Sequence, residues 1–147
     1  MSYRILITGC AGLVGGALRA ALRKQRHEPS GLDLRGAGIE RGDVRDPQQV
    51  RAALRGCHGV VHLAAISRVV WGERDPDLCR TTNIGGLQTV IAAIEECREP
   101  PWLIFASSRE VYGRPDRLPV DEAAPLRPVN VYGQTKVFGE ALVNAAR

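Results

Sequence analysis

A nearly continuous apolar run, Tyr3-Arg-Ile-Leu-Ile-Thr8, meets glycines at positions 9, 12 and 15, and helix-spaced Leu13, Val14, Ala17, Leu18, Ala21 and Leu22 follow through about Arg26. Apolar residues without alternation predict a strand covered on both faces. The glycines predict a tight turn, and the spacing after them predicts an amphipathic helix. Strand, glycine turn and helix in that order make the first half of a βαβ unit, which commits the rest of the chain to a parallel sheet.

The remaining segments agree. A second strand is expected near Ser30-Gly-Leu-Asp-Leu34, weakened by Pro29 and Gly31. Asp46-Pro-Gln-Gln49 predicts a helix start, with Asp46 as N-cap, Pro47 at N1 and Gln49 reaching back from N3; the helix runs to about Arg55 and ends at Gly56. Gly59-Val-Val-His-Leu-Ala64 predicts a buried strand, and Ile84, Leu87, Val90, Ile91 and Ile94 one side of a longer helix that stops before Pro100-Pro101. Trp102-Leu-Ile-Phe105 predicts another strand, and a final helix begins at Val131. Residues 114–128 carry four prolines and little periodicity, so an irregular loop over the site is expected. The fold class is α/β, a doubly wound parallel sheet in a single domain over residues 1–147.

Composition bounds the partners. Eighteen of the twenty basic residues are arginine and the net charge is +4, but the arginines are scattered and interleaved with acids, as in Glu73-Arg-Asp75. Nucleic-acid binding would need them clustered on one face, so no nucleic acid is expected. Cys10, Cys57, Cys79 and Cys97 are far apart, with no Cys-x-x-Cys and no histidine nearby at ligand spacing; neither a metal nor a disulfide framework is expected. No apolar run approaches the roughly 18 residues of a membrane span and no signal pattern opens the chain, so a cytoplasmic protein is expected.

Gly9, Gly12 and Gly15 bring backbone N–H groups and a helix N-terminus to one point, which suits a pyrophosphate; a plain turn is the alternative. Asp33 closes the second strand, where a carboxylate accepts both hydroxyls of an adenosine ribose and repels a 2′-phosphate. NAD is therefore favoured over NADP, although Arg35 two residues on could meet a phosphate, and an ordinary turn residue is the alternative reading of Asp33. Tyr132 and Lys136 share a helix face. A phenol, titrating near about 10, is a poor base at neutral pH, and an ammonium beside it favours the phenolate. A solvent-facing tyrosine with an unrelated lysine is the bland alternative, weighed against the fact that Lys24 and Lys136 are the only lysines of the chain. Ser107 and Ser108 follow the fourth strand at the carboxyl edge, where a hydroxyl reaches either substrate or local backbone. His62 is expected to be packed, and His27 and His58 at the surface.

With glycine loop, acid and Tyr-x-x-x-Lys in this order, the chain resembles the extended short-chain dehydrogenase/reductase family, and within it the NAD-dependent epimerases and dehydratases of nucleotide sugars. Thr8-Gly-Cys-Ala-Gly-Leu-Val-Gly15 is similar to the family's cofactor loop, which implies that Leu13 and Val14 also touch NAD. Gly42-Asp-Val44 resembles the segment that sets an acid, Asp43, and a backbone amide, Val44, on the adenine. His62-Leu-Ala-Ala65 resembles the strand end lining the cofactor, through Leu63, Ala64 and Ala65, and Asn83 the asparagine that steadies the central helix. Ser107-Ser-Arg-Glu-Val-Tyr-Gly113 resembles the loop whose hydroxyl, here Ser108, is catalytic.

The resemblance implies a mechanism. Tyr132 takes a sugar hydroxyl proton while hydride passes to NAD; Lys136 holds the cofactor ribose and favours the phenolate; Ser108 supports the proton transfer. Dehydratases of the group carry an acidic pair after that hydroxyl. Here Arg109 and Glu110 stand there, which favours epimerisation or simple oxidoreduction. Family members continue into further strands and a C-terminal substrate domain that this sequence lacks. A nucleotide-sugar epimerase represented by its cofactor domain is thus the first expectation, and an inert NAD(H)-binding module the second. A homodimer is implied, formed through the helix after Ala65 and the one bearing Tyr132.

Overall fold

A computed structural model describes residues 1–146. Four strands, β1 (Arg4–Thr8), β2 (Glu28–Leu32), β3 (Gly59–His62) and β4 (Trp102–Phe105), pair in the order β2-β1-β3-β4, all parallel. Six α-helices accompany them: α1 (Leu13–Lys24), α2 (Pro47–Leu54), α3 (Val69–Arg74), α4 (Pro76–Arg80), α5 (Gly86–Glu95) and α6 (Val131–Ala145). The chain steps outward from β1 to β2, then returns past β1 to β3. Right-handed crossovers therefore put α1 on one face of the sheet and α2 and α5 on the other.

The core lies on the α2–α5 face. Leu6, Leu32 and Val60 from the strands meet Val50, Leu54, Val90, Ala93 and Ile94 from the helices. Asp46 caps α2 as its sequence requires, its carboxylate accepting the N–H groups of Gln48 (2.8 Å) and Gln49 (3.3 Å). Gln49 departs from the expected box: its Nε2 bonds the Asp46 carboxylate and its Oε1 accepts the Asp43 N–H at 2.8 Å. The α2 cap is thereby tied to the loop that follows β2. The α1 face is barer. Leu13 is 92% exposed and Val14 exposed, while Leu18 and Leu22 are only half-buried. Trp102 and Ile104 point to the same face from β4 and are 43% and 54% exposed, since α1 does not reach that edge.

Two segments differ from expectation. Residues 76–95 are helical without a break, and Thr81–Gly85 between α4 and α5 form a π-helical turn around Asn83. Hydrophobic spacing shows α5 but not this turn, because one extra residue in the ladder shifts the period. Residues 114–128 do form an irregular loop, but they line a separate cavity of about 440 Å³ with Tyr112 and contribute nothing to the groove at the carboxyl edge of the sheet.

Candidate active site

The sheet register delivers the site. Thr8 pairs with both Leu32 and His62, and His62 pairs with Phe105. The four strands therefore end in one row, and Gly9, Asp33, Leu63 and Ala106 follow at the same edge. The crevice opens between β1 and β3, where the chain's two directions of winding part.

Gly9 has φ +73°, and a Cβ there would stand 2.8 Å from the Ala64 nitrogen. A Cβ at Gly15 would press into the Gly9 carbonyl and stand 2.9 Å from the Cys10 Cα. Only glycines allow the loop to fold back this closely. Gly12 N–H bonds the Gly9 carbonyl (3.0 Å), and α1 starts at Leu13 with no side-chain cap and no acid in its first turn. The first-turn N–H groups of Leu13, Val14 and Gly15 are left without a partner inside the helix, as an anion site needs.

Asp33 is buried, and its two oxygens accept the N–H groups of Ala11 (3.0 Å) and Arg35 (2.8 Å). It thus fixes the glycine loop to the end of β2 while each oxygen keeps a lone pair for a further donor. The Arg35 guanidinium stands 3.8 Å away and is largely exposed. Asp43 faces the same groove, but Arg45 bonds both its oxygens (2.6–3.0 Å), and that hydrogen bonding holds its carboxyl below the usual range. The Val44 N–H donates to no group among the described residues.

One groove of about 430 Å³ collects eight of the residues singled out from sequence, Gly9, Gly12, Asp33, Asp43, Val44, Leu63, Ala64 and Ala65. Arg35, Ile66, Ser67 and Trp71 line it too, and sequence patterning did not pick out the last three. In the sequence Thr8 stands out only as part of a motif, yet its buried hydroxyl accepts the N–H groups of Leu63 and Ala64 (both 3.2 Å) and fixes the turn of that wall. With both acceptor sites used, the Thr8 O–H donates to His62 Nδ1 (2.9 Å). His62 is packed as expected, and burial, with Lys136 nearby, pushes its pKa down to about 3.

Asn83 stands behind the groove, not in it. Its Oδ1 accepts the Ile66 N–H (2.7 Å), and its Nδ2 donates to the Ile66 carbonyl (3.2 Å) and the Thr135 hydroxyl (2.9 Å). Thr135 in turn donates to the Tyr132 carbonyl at 2.7 Å. The π-helical turn thus braces the groove floor against α6.

Tyr132, Lys136 and Ser108 do not line this groove; α6 brings Tyr132 and Lys136 together, 8% and 3% exposed, at the end of β4 on the same sheet edge. Lys136 Nζ donates to the Ala106 carbonyl (2.8 Å) and lies 4.7 Å from the Phe105 ring centre and 5.7 Å from that of Tyr132. Burial lowers its pKa from 10.5 to about 8. Gly139, one turn on, is needed because a Cβ would strike the Phe105 ring. Ser108 is half-buried and caps the short turn Arg109–Tyr112 by accepting the Glu110 N–H (3.2 Å). Its hydroxyl makes no hydrogen bond to Tyr132 among the described residues, while Ser107 bonds Glu140 of α6.

The family model for the NAD dependent epimerase/dehydratase family matches residues 5–147. The chain belongs to this family. It is 33% identical to a UDP-glucose 4-epimerase of Streptomyces lividans over 97% of its own length and 47% of that protein's. It is 31% identical to a dTDP-4-dehydrorhamnose reductase of Mycolicibacterium smegmatis over 100% of its length and 43% of the relative's. Among solved structures, a UDP-glucose 4-epimerase from Brucella ovis in complex with NAD superposes with a TM-score of 0.90 at 29% identity, covering 98% of this chain and 47% of that one. A short-chain dehydrogenase/reductase superfamily protein from Agrobacterium tumefaciens with bound NAD reaches 0.83 at 38% identity, covering 97% and 44%. The chain spans about half the length of the relatives it matches. Among the described residues no helix is long and apolar enough to cross a membrane.

Proposed function

We propose that the chain is the cofactor-binding part of an NAD-dependent nucleotide-sugar epimerase or related oxidoreductase. The observation that carries the reading is a glycine-walled groove at the carboxyl edge of the sheet, with a buried tyrosine–lysine pair whose lysine bonds the Ala106 carbonyl on that same edge. The residues fit the dinucleotide: the cradle has no room for a Cβ at Gly9 or Gly15, and Asp33 keeps lone pairs free for two hydroxyls.

Bound NAD would supply a carrier that accepts a hydride from the sugar and can return it. The chain's own residues hold and orient it. The uncapped first-turn N–H groups of Leu13, Val14 and Gly15 meet the pyrophosphate, and Asp33 takes the adenosine ribose. Asp43 must share its carboxylate with Arg45, so the Val44 N–H is the freer contact for the adenine. Leu63, Ala64 and Ala65 form the wall, and Asn83 keeps that wall in place from behind. Lys136 leaves the Ala106 carbonyl for a ribose hydroxyl and keeps its charge near Tyr132, which accepts the sugar hydroxyl proton; Ser108 hydrogen-bonds the same oxygen. Arg109 in place of an acid favours epimerisation or oxidoreduction over dehydration.

Four free cysteines, two of them buried, suit a reducing cytoplasm. Half-exposed Leu78 on α4 and Phe138 on α6 support a homodimer through those helices.

Calorimetric titration with NAD, NADP and a panel of UDP-, GDP- and dTDP-sugars tests the reading. Binding of NAD in preference to NADP supports it, and binding of neither dinucleotide removes it. The Ser108 hydroxyl, which caps the Arg109–Tyr112 turn and makes no hydrogen bond to Tyr132 among the described residues, favours a second reading, an inert NAD(H) module, which predicts NAD binding with no sugar nucleotide bound.

A further inference from the structure

We propose that Glu73 and Glu110 form a carboxylate clamp that positions Tyr132 by gripping the first turn of α6 from two sides. The proposal rests on the reading of Tyr132 as the proton-transfer group. A helix N-terminus favours acids in its first turn, and α6 has none of its own. Two distant acids replace them. The Glu73 carboxylate on α3 accepts the Val131 N–H at 2.8 Å. Glu110 Oε2 accepts Asn130 Nδ2 at 2.7 Å, and Asn130 Oδ1 caps the helix by accepting the Gly133 N–H, also at 2.7 Å. The residues on either side of Tyr132 are therefore both held.

Close packing reinforces the grip. A Cβ on Gly133 would stand 2.6 Å from the Glu110 carbonyl. The Glu110 side chain is only 17% exposed, and Arg109 pairs with its other oxygen at 2.7 Å.

The clamp connects two parts of the site that share no direct bond. Ser108 Oγ accepts the Glu110 N–H, Glu110 holds Asn130, and Asn130 holds Gly133. This path sets the distance between the serine hydroxyl and the Tyr132 phenol. Glu73 adds the groove wall, since it lies two residues beyond Trp71. Glu73 and Glu110 are thus positioning residues, acting through the backbone of α6.

Amide hydrogen exchange at Val131 and Gly133, with the 13Cε titration of Lys136, tests the clamp in the wild type and in Glu110→Ala, Glu110→Gln and Asn130→Ser. Losing one such bond should raise local exchange by roughly tenfold in Glu110→Ala. It should also move the Lys136 midpoint up from about 8 towards its ordinary value, as water reaches the loosened helix. Glu110→Gln keeps an acceptor oxygen and should restore both readouts. Asn130→Ser keeps a cap on Gly133, but its hydroxyl ends one bond short of Nδ2 and loses the reach to Glu110; it should shift Lys136 as Glu110→Ala does, and it serves if that variant fails to fold. Unchanged exchange and an unchanged Lys136 midpoint in Asn130→Ser would overturn the clamp. NAD titration of the same wild-type sample is the separate control: no binding removes the functional reading, while the exchange and lysine data still decide the clamp.

Discussion

Lys136 shows how burial and chemistry are linked in one side chain. Its folded-state pKa of about 8 lies below the 10.5 of an exposed lysine because burial penalises the ammonium. The unfolded chain binds more protons between those values, so stability from this group is complete above 10.5 and is lost as pH falls through about 8. The effect should be on the order of 3 kcal/mol. Burial raises the thiols of Cys10, Cys57 and Cys79, which opposes this trend at alkaline pH. Urea unfolding from pH 7 to about 10 should therefore be read as the difference between wild type and Lys136→Met, and a flat difference would contradict the burial argument. His62 sets the acid limb in the same sense. Folded at about 3 against 6.5 unfolded, it contributes stability that is complete above 6.5 and is lost as pH falls towards 3. On the order of 5 kcal/mol is at stake, and His62→Gln should move the acid-unfolding midpoint to lower pH.

Among the glycines, Gly9→Ala brings both a strained φ and a backbone clash with Ala64. It should cost about 2 kcal/mol or more in stability and weaken NAD binding in calorimetry by at least roughly tenfold.

At the scale of elements, caps and turns were the most readable features. Asp46 caps α2 through a side chain two and three residues away in sequence, and Asp46→Ala should cost about 1 kcal/mol by thermal unfolding. The join of α4 to α5 was not readable. The π-helical turn is held by Asn83 bonding Ile66, 17 residues back, and Thr135, 52 residues on. Thr135→Val keeps the shape but leaves Asn83 Nδ2 only the Ile66 carbonyl and the weak acceptor Cys79 Sγ in a buried site. A loss of about 1–3 kcal/mol is expected, with weaker NAD binding in the same titration. If stability falls while NAD affinity holds, the brace does not reach the groove.

For the whole molecule, the α2–α5 face is packed and the α1 face is half bare. Ile104 lies on that bare face, so Ile104→Thr should change unfolding free energy by no more than about 0.5 kcal/mol while lowering the binding of an apolar-surface dye. Light scattering gives the assembly: Phe138→Glu on α6 should convert the proposed dimer to monomer, and a wild-type monomer would count against that interface.

Local sequence determined what depends on residues close together along the chain. It fixed the apolar run of β1, the glycines that make its turn, the Asp46–Pro47 start of α2, and the shared face of Tyr132 and Lys136. Each follows from a spacing or a φ angle that only certain residues accept. Tertiary structure alone decided the rest. The register that ends four strands in one row brings Gly9, Asp33, Leu63 and Ser108 to one edge, and no short window of sequence encodes a register. The same holds for Thr8 pinning the wall at Leu63 and Ala64, for Trp71 in the groove, and for Glu73 on the N-terminus of α6, 58 residues away. These contacts depend on how helices pack across the sheet, and a polar side chain bonded across such distances leaves no periodic trace in the chain.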